Sequence, residues 1–219
     1  MIKKKTISIF LCIAMLFSCC LFPSANAVDK SFSVKVESAA LLDINTGELI
    51  YSKAPHKQSF IGSLTKLMPL IIFFEALEKG ELNLNEYVQI SAYAVSEIDG
   101  SNVGLRVGNK VKVEDLLKAI ILASGCDACI ALCEHLSGSE AKFVDKMNKK
   151  ASLMGLKNTH FENCTGVDTK VIEHYSSAYD VALMSKELMK HSDITRYTTI
   201  VSDSICNNSI NLKNTNPLL

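Results

Sequence analysis

Two side chains that could do chemistry together are Ser63 and Lys66, three positions apart in Phe60-Ile61-Gly62-Ser63-Leu64-Thr65-Lys66-Leu67-Met68. On a helix, positions i and i+3 share a face, with Cβ atoms about 5–6 Å apart. A helix starting here would present Ser63 Oγ in its first turn, with the Lys66 amine reaching back to it. A free serine is a poor nucleophile and needs a neighbouring base. A lysine can be that base where burial or positive neighbours disfavour its charged form. The positive end of a helix N-terminus acts in the same direction and also favours a developing oxyanion. The pattern alone does not decide, because Ser-x-x-Lys recurs as Ser139-Glu140-Ala141-Lys142. That copy lies in a polar, charged stretch and reads as a solvated helix surface. For Ser63 and Lys66 the competing bland reading is a capping serine and an exposed lysine.

Other reactive side chains read more simply. Cys126, Cys129 and Cys133 are spaced to share one helical face. No His/Cys pair elsewhere has zinc-like spacing, and cysteine is commonly a small buried hydrophobe, so no metal is expected. A Cys126–Cys129 disulfide inside a helix is disfavoured by geometry. His174 and Tyr175 are expected to cap and orient the helix after them, and Asp127 to cap or pair within its own helix. His56, His135, His160 and His191 read as surface residues, and Met147, Met154, Met184 and Met189 as core packing.

The elements that must position Ser63 and Lys66 follow from periodicity and turn chemistry. Residues 34–51 read as a hairpin, with β-prone Val34 to Ile44, a turn at Asn45-Thr46-Gly47-Glu48, and a return along Leu49-Ile50-Tyr51. A helix is expected from Ser63 to Gly80, apolar all round and therefore buried. Pro69 breaks its pattern, removing one hydrogen bond and crowding the Thr65 carbonyl at about 3 kcal/mol in a regular helix interior. Residues 81–112 are polar and mixed, with turn signals at Asp99-Gly100-Ser101-Asn102 and Gly108-Asn109. Helices are expected over Val113 to Ala123 and Cys126 to Leu136, meeting at Ser124-Gly125. Further helices are expected from Glu140 to Met154 and from Ser176 to His191, separated by a loop from Asn158 to Asp168. Tyr197 to Leu212 reads as strands.

Residues 1–27 have the form of a secretory signal peptide: Lys3, Lys4 and Lys5, an apolar run from Ile7 to Phe22, and the small-x-small site Ala25-Asn26-Ala27. The apolar run is short for a span of about 20 residues. A mature chain of residues 28–219, one domain, is expected outside the cytoplasmic membrane. Its basic residues fall from 23 to 20 against 23 acidic, a net −3, which is no nucleic-acid footprint. Of eight cysteines, Cys12, Cys19 and Cys20 leave with the leader. The remaining five cannot all pair among themselves.

In their order and spacing these signals resemble the low-molecular-mass penicillin-binding proteins, the D-alanyl-D-alanine carboxypeptidases of serine peptidase family S11. The resemblance covers nearly all of the mature chain. Its pieces are Leu42-Asp43-Ile44-Asn45-Thr46-Gly47, Gly62 to Met68, Gly100-Ser101, Val113-Glu114-Asp115-Leu116-Leu117 and Ala123-Ser124-Gly125-Cys126-Asp127-Ala128. Phe143-Val144 with Met147-Asn148, Gly155-Leu156-Lys157-Asn158-Thr159-His160-Phe161 and His174-Tyr175-Ser176-Ser177-Ala178-Tyr179-Asp180 complete it. It implies an α/β (α+β) fold of the β-lactamase/transpeptidase type, a helical cluster packed on a mainly antiparallel sheet. It also implies an extracytoplasmic, secreted enzyme of the cell envelope, with no cofactor and no metal. Ser63 would attack the carbonyl between the last two D-alanines of a peptidoglycan stem peptide, with Lys66 as general base. Ser124, the serine of the family's Ser-x-Asn motif, would relay a proton to the leaving D-alanine. Water would hydrolyse the acyl-enzyme, and β-lactams would trap it as covalent inhibitors.

Three departures weigh against catalysis and keep open a catalytically inactive relative that binds cell-wall peptides, or a pseudogene product. Cys126, at a substrate-binding position, stands where the family has Asn; a thiol is a weak version of the amide's donor and acceptor. Lys-Thr-Gly, the family's third motif, is absent, and Lys213-Asn214-Thr215 does not replace it. The expectation is therefore a C-terminally truncated chain, with the C-terminal sheet strands and any membrane anchor missing. Loss of the oxyanion-hole donor on the third-motif strand alone costs about 10²–10³ in rate. Pro69 is the third departure. A class A β-lactamase of the same fold fits less well, since it too needs Lys-Thr-Gly and a deacylating glutamate.

Overall fold

The computed structural model describes residues 33–96, 99–167 and 172–219. The leader expected over residues 1–27 lies outside them. Residues 37–219 form one compact unit.

The expected hairpin is present: β1 (Ala39–Leu42) pairs antiparallel with β2 (Leu49–Lys53), with a register shift at Leu41/Leu42. Its turn is closed by Asp43, whose Oδ1 accepts from the Asn45 N–H at 2.9 Å, the Thr46 N–H at 2.6 Å and the Thr46 hydroxyl at 3.0 Å. A carboxylate that satisfies the backbone two and three residues ahead makes this turn a local decision of the sequence.

A 3₁₀ turn over Gly62–Lys66 leads into helix α1 (Leu67–Glu78). The regular helix therefore starts four residues later than expected. Pro69, anticipated as a flaw in a helix interior, is instead the third residue of α1. In that turn an N–H lacks an intrahelical acceptor in any case, and proline's fixed φ is tolerated. Met68, Leu70, Ile71, Phe73, Phe74 and Ala76 are all buried, as an all-round apolar helix requires. Phe73 stacks obliquely on Phe143 at 5.2 Å between centroids; removing a buried ring of this kind costs about 3–5 kcal/mol.

Around α1 pack α2 (Val113–Ala123), α3 (Cys126–Ser137), α4 (Glu140–Leu153) and α5 (Ala178–Leu188), close to the expected limits. α5 lies against both α1 and β1, and α3 against α2 and α4. Ser139 and Ser177 are side-chain N-caps of α4 and α5.

The strands are antiparallel, as expected, but among the described residues they form three separate two-stranded pairs. β3 (Tyr87–Gln89) and β4 (Lys110–Lys112) come from the stretch read only as turns. Each is three residues long, with one inward residue, Val88 or Val111, which face each other in register and are buried. Three residues are too few for an alternation signal. In the tail, α6 (Ile194–Thr198) precedes β5 (Ser202–Ile205) and β6 (Ile210–Lys213). Tyr197, read as strand, is helical because its ring is fully buried edge-on to Phe74 at 6.1 Å; packing overrides β-propensity there.

Two expectations about single residues are corrected. His191 is buried, with Nδ1 2.6 Å from Glu78 Oε1 and its ring stacked on Phe74. Met189 is about half exposed rather than core. Among the described residues β1 has β2 as its one strand partner, and beside it lies an apolar groove of about 690 Å³ lined by Leu41, Phe60, Leu64 and Val181. No helix among the described residues is long and apolar enough to cross a membrane.

Candidate active site

The 3₁₀ turn is what brings Ser63 and Lys66 together. With three residues per turn, i and i+3 eclipse, and Lys66 Nζ donates to Ser63 Oγ at 3.1 Å. Ser63 is exposed, while Lys66 is buried to 3% exposure. A buried ammonium or amine needs a fixed partner, and the Thr165 carbonyl supplies it, accepting from Nζ at 2.9 Å. An accessible hydroxyl thus sits over an amine whose stem and second partner lie inside the protein.

The Thr165 carbonyl is positioned by a tightly shaped loop. Asn163 Oδ1 accepts from the Thr165 and Gly166 N–H groups at 3.1 and 2.7 Å, and its amide donates to the Val167 carbonyl at 2.8 Å. A Cβ on Gly166 would stand 1.9 Å from the Gly62 carbonyl oxygen and 2.7 Å from Thr65 Oγ1. Only glycine lets the loop press onto the 3₁₀ turn this closely.

Behind Ser63 and Lys66 the structure corrects the reading of His174 as a helix cap. His174 is buried; its Nδ1 accepts from the Glu162 N–H at 3.1 Å, so Nε2 carries the proton and donates to Thr65 Oγ1 at 2.7 Å. Burial holds this imidazole below its ordinary value, against an opposing pull from Glu162. Its ring lies against Phe60 and Phe161. The middle of the 3₁₀ turn is therefore pinned by a neutral histidine from across the fold.

The α2–α3 junction carries the other two expected site residues, Ser124 and Cys126. Ser124 ends α2 in the left-handed region at φ 57°, ψ 31°, a strained backbone for a non-glycine residue of the kind that clusters at functional sites. Cys126 begins α3 and donates its N–H to the Ser101 carbonyl at 2.6 Å. Its buried thiol donates weakly to the Ser124 carbonyl at 3.9 Å; burial raises the thiol above its ordinary value, and the charge of nearby Lys66 opposes this only in part. Cys126 is therefore a neutral thiol and not a rival nucleophile. Gly100 makes room for it, since a Cβ there would stand 3.0 Å from Cys126 Sγ.

Asp127, read as a partner within its own helix, reaches much further. Its carboxylate accepts from the N–H groups of Val103, Gly104 and Leu105 at 3.0–3.2 Å as well as from Ala128 at 2.9 Å. Asn102 Oδ1 accepts the Asp127 N–H at 3.1 Å. The loop holding Ser101 is in this way bolted to the start of α3. Sequence reasoning missed Thr65, Asn163, Thr165 and Gly166. The one local signal was the turn chemistry of Asn163-Cys164-Thr165-Gly166; nothing local ties it to a lysine 99 positions away.

Comparison with known proteins places the chain in a family. The family model described as D-alanyl-D-alanine carboxypeptidase, peptidase S11, matches residues 24–219. D-alanyl-D-alanine carboxypeptidase DacF of Bacillus subtilis is 42% identical over 188 residues, which are 84% of this chain and 48% of that protein. Penicillin binding protein 6B of Escherichia coli superposes with a TM-score of 0.77 at 29% identity, over 85% of this chain and 60% of that one. A variant of the Streptomyces K15 DD-transpeptidase in which a cysteine is replaced by asparagine superposes with a TM-score of 0.74 at 28% identity, over 85% of this chain and 76% of that one. The chain spans about half the length of the curated relatives it matches. A family model that runs from residue 24 to the last residue, and relatives that agree over most of this chain, leave one assignment: the chain belongs to the D-alanyl-D-alanine carboxypeptidase family, peptidase S11.

Proposed function

We propose that this chain carries the acylating half-site of a serine-type D-Ala-D-Ala carboxypeptidase acting on peptidoglycan stem peptides outside the cytoplasmic membrane. The observation that carries the reading is the Lys66 Nζ to Ser63 Oγ contact of 3.1 Å, with Nζ also held at 2.9 Å by the buried Thr165 carbonyl. In its amine form Lys66 takes the Ser63 proton as Oγ attacks the carbonyl between the two terminal D-alanines. The bond to the departing D-alanine breaks, and Ser124 relays a proton to its nitrogen. Water then cleaves the Ser63 ester and releases the shortened peptide. A β-lactam would acylate Ser63 in the same way.

Cys126 takes the place that the family motif gives to asparagine, and its thiol offers Lys66 and the substrate backbone a weaker partner. That favours the second reading, a relative that binds stem peptides without cutting them. On the other side stands the Streptomyces K15 DD-transpeptidase, described in variants that change a cysteine to asparagine and a serine two positions before it to alanine. That enzyme's serine and cysteine have the spacing of Ser124 and Cys126.

Incubation of the purified chain with a fluorescent penicillin, beside a Ser63→Ala control, tests the proposal. A stable covalent band lost in the control is expected. Rapid turnover of the label would mean a β-lactamase, and no band from a folded chain would leave the binding-only reading.

A further inference from the structure

Cys129 and Cys133 lie one turn apart on α3, and Cys164 comes from the loop between α4 and α5. Their three sulfur atoms all lie within 4.8 Å of one another, and all three residues are fully buried, free thiols. The trio differs from the one that sequence spacing suggested. Cys126 turns its sulfur to the Ser124 carbonyl instead, and Cys164, more than thirty positions away, takes its place.

We propose that Cys129, Cys133 and Cys164 form a binding site for a soft ion that takes three sulfur donors, with trivalent arsenic the best-matched chemistry. Three sulfurs in a pyramid around As(III), with bonds of ~2.3 Å and S–As–S angles of about 100°, stand about 3.5 Å apart, so the three thiols need to draw together by a little over an ångström at most. Thiolates select soft ions over hard ones. Among the described residues no His, Asp or Glu joins the three sulfurs within that distance. A structural zinc site wants four ligands, so zinc is poorly served. Charge decides among the remaining ions. The three sulfurs are fully buried, with the Glu140 carboxylate close by, accepting the Cys164 N–H at 2.9 Å, and the charge of Lys66 acting on Cys129 in the opposite sense. A net negative complex would be costly to bury there. Three thiolates leave a double negative charge on a monovalent ion and a single one on a divalent ion, but none on As(III). With arsenous acid three S–H and three As–O bonds break and three As–S bonds form. Three waters leave, and the oxidation state of arsenic does not change. Entry is by local opening around Cys164, of the kind that loops undergo far more readily than helices. The neighbouring residue is Thr165, whose carbonyl holds Lys66, so the site abuts the catalytic base.

Native mass spectrometry of the full chain, kept reduced with a phosphine and mixed with arsenite, tests this directly and needs no enzymatic activity. One adduct per chain is expected, with the mass of one arsenic less three hydrogens. Cys164→Ala and Cys133→Ala should lose that three-proton signature. Their affinity should fall by at least the roughly 10–100-fold that loss of an outer-shell partner costs a metal site. Cys206→Ala should bind as the parent does, and zinc should bind more weakly than arsenite. No adduct on the folded parent chain would overturn the proposal. So would an adduct that survives unchanged in both Cys164→Ala and Cys133→Ala.

Discussion

The two Ser-x-x-Lys copies share a pattern and nothing else. In the first, Ser63 is exposed and Lys66 buried, on a 3₁₀ turn that stacks one above the other, with Thr165 as a second anchor. In the second, Ser139 is spent as the N-cap of α4, its oxygen accepting the Lys142 N–H at 3.3 Å, and Lys142 is exposed. The difference teaches that the chemistry lies in what holds the lysine, not in the four-residue spacing.

The comparison breaks first on the lysines. Lys66→Gln should cut the rate of penicillin acylation by about 10²–10⁴, the usual worth of a positioned general base, while Lys142→Gln should leave it unchanged. Equal effects in a stopped-time labelling assay would sink the distinction. Next, Cys126→Asn should raise the acylation rate, by about tenfold for each 1.36 kcal/mol of restored hydrogen bonding. An unchanged or lower rate would mean that the thiol already suits its place near Lys66.

The anchoring of the first copy also predicts a pH dependence that the second lacks. Burial holds His174 below its ordinary 6.5. As pH falls through that value the unfolded chain binds a proton that the folded chain resists. The stability His174 contributes is therefore present above about pH 6.5 and lost as pH drops towards its lowered folded value. The melting temperature should fall on acidification below about pH 6.5, and His174→Gln should flatten that slope. A slope identical in both proteins would remove His174 from the explanation. The smallest effect belongs to the second copy: Ser139→Ala should cost about 1 kcal/mol in denaturant unfolding, as a lost N-cap does, with no change in penicillin labelling.

Much of the scaffold was legible because its signals are local. The Asp43 turn, the all-round apolar face of α1, the junction at Ser124-Gly125 and the Ser177 cap each depend on residues a few positions apart. β3 and β4 were not, since each buries a single valine that finds its partner across the chain. His191 was misread as surface because its burial comes from Phe74 and Glu78, more than a hundred positions earlier. Asp127 was misread for the same reason, as three of its bonds go to a loop more than twenty residues upstream.

The sequence by itself determined the family and the order of the long helices, and it singled out Ser63 as the candidate serine, because motif order and hydrophobic period are properties of neighbours along the chain. Tertiary structure alone decided that Lys66 is anchored by Thr165, that Cys126 lies near it as a neutral thiol, that His174 locks Thr65, and that Cys164 joins Cys129 and Cys133. Burial and hydrogen bonding depend on distance in space. No spacing along the chain carries that information across a hundred residues.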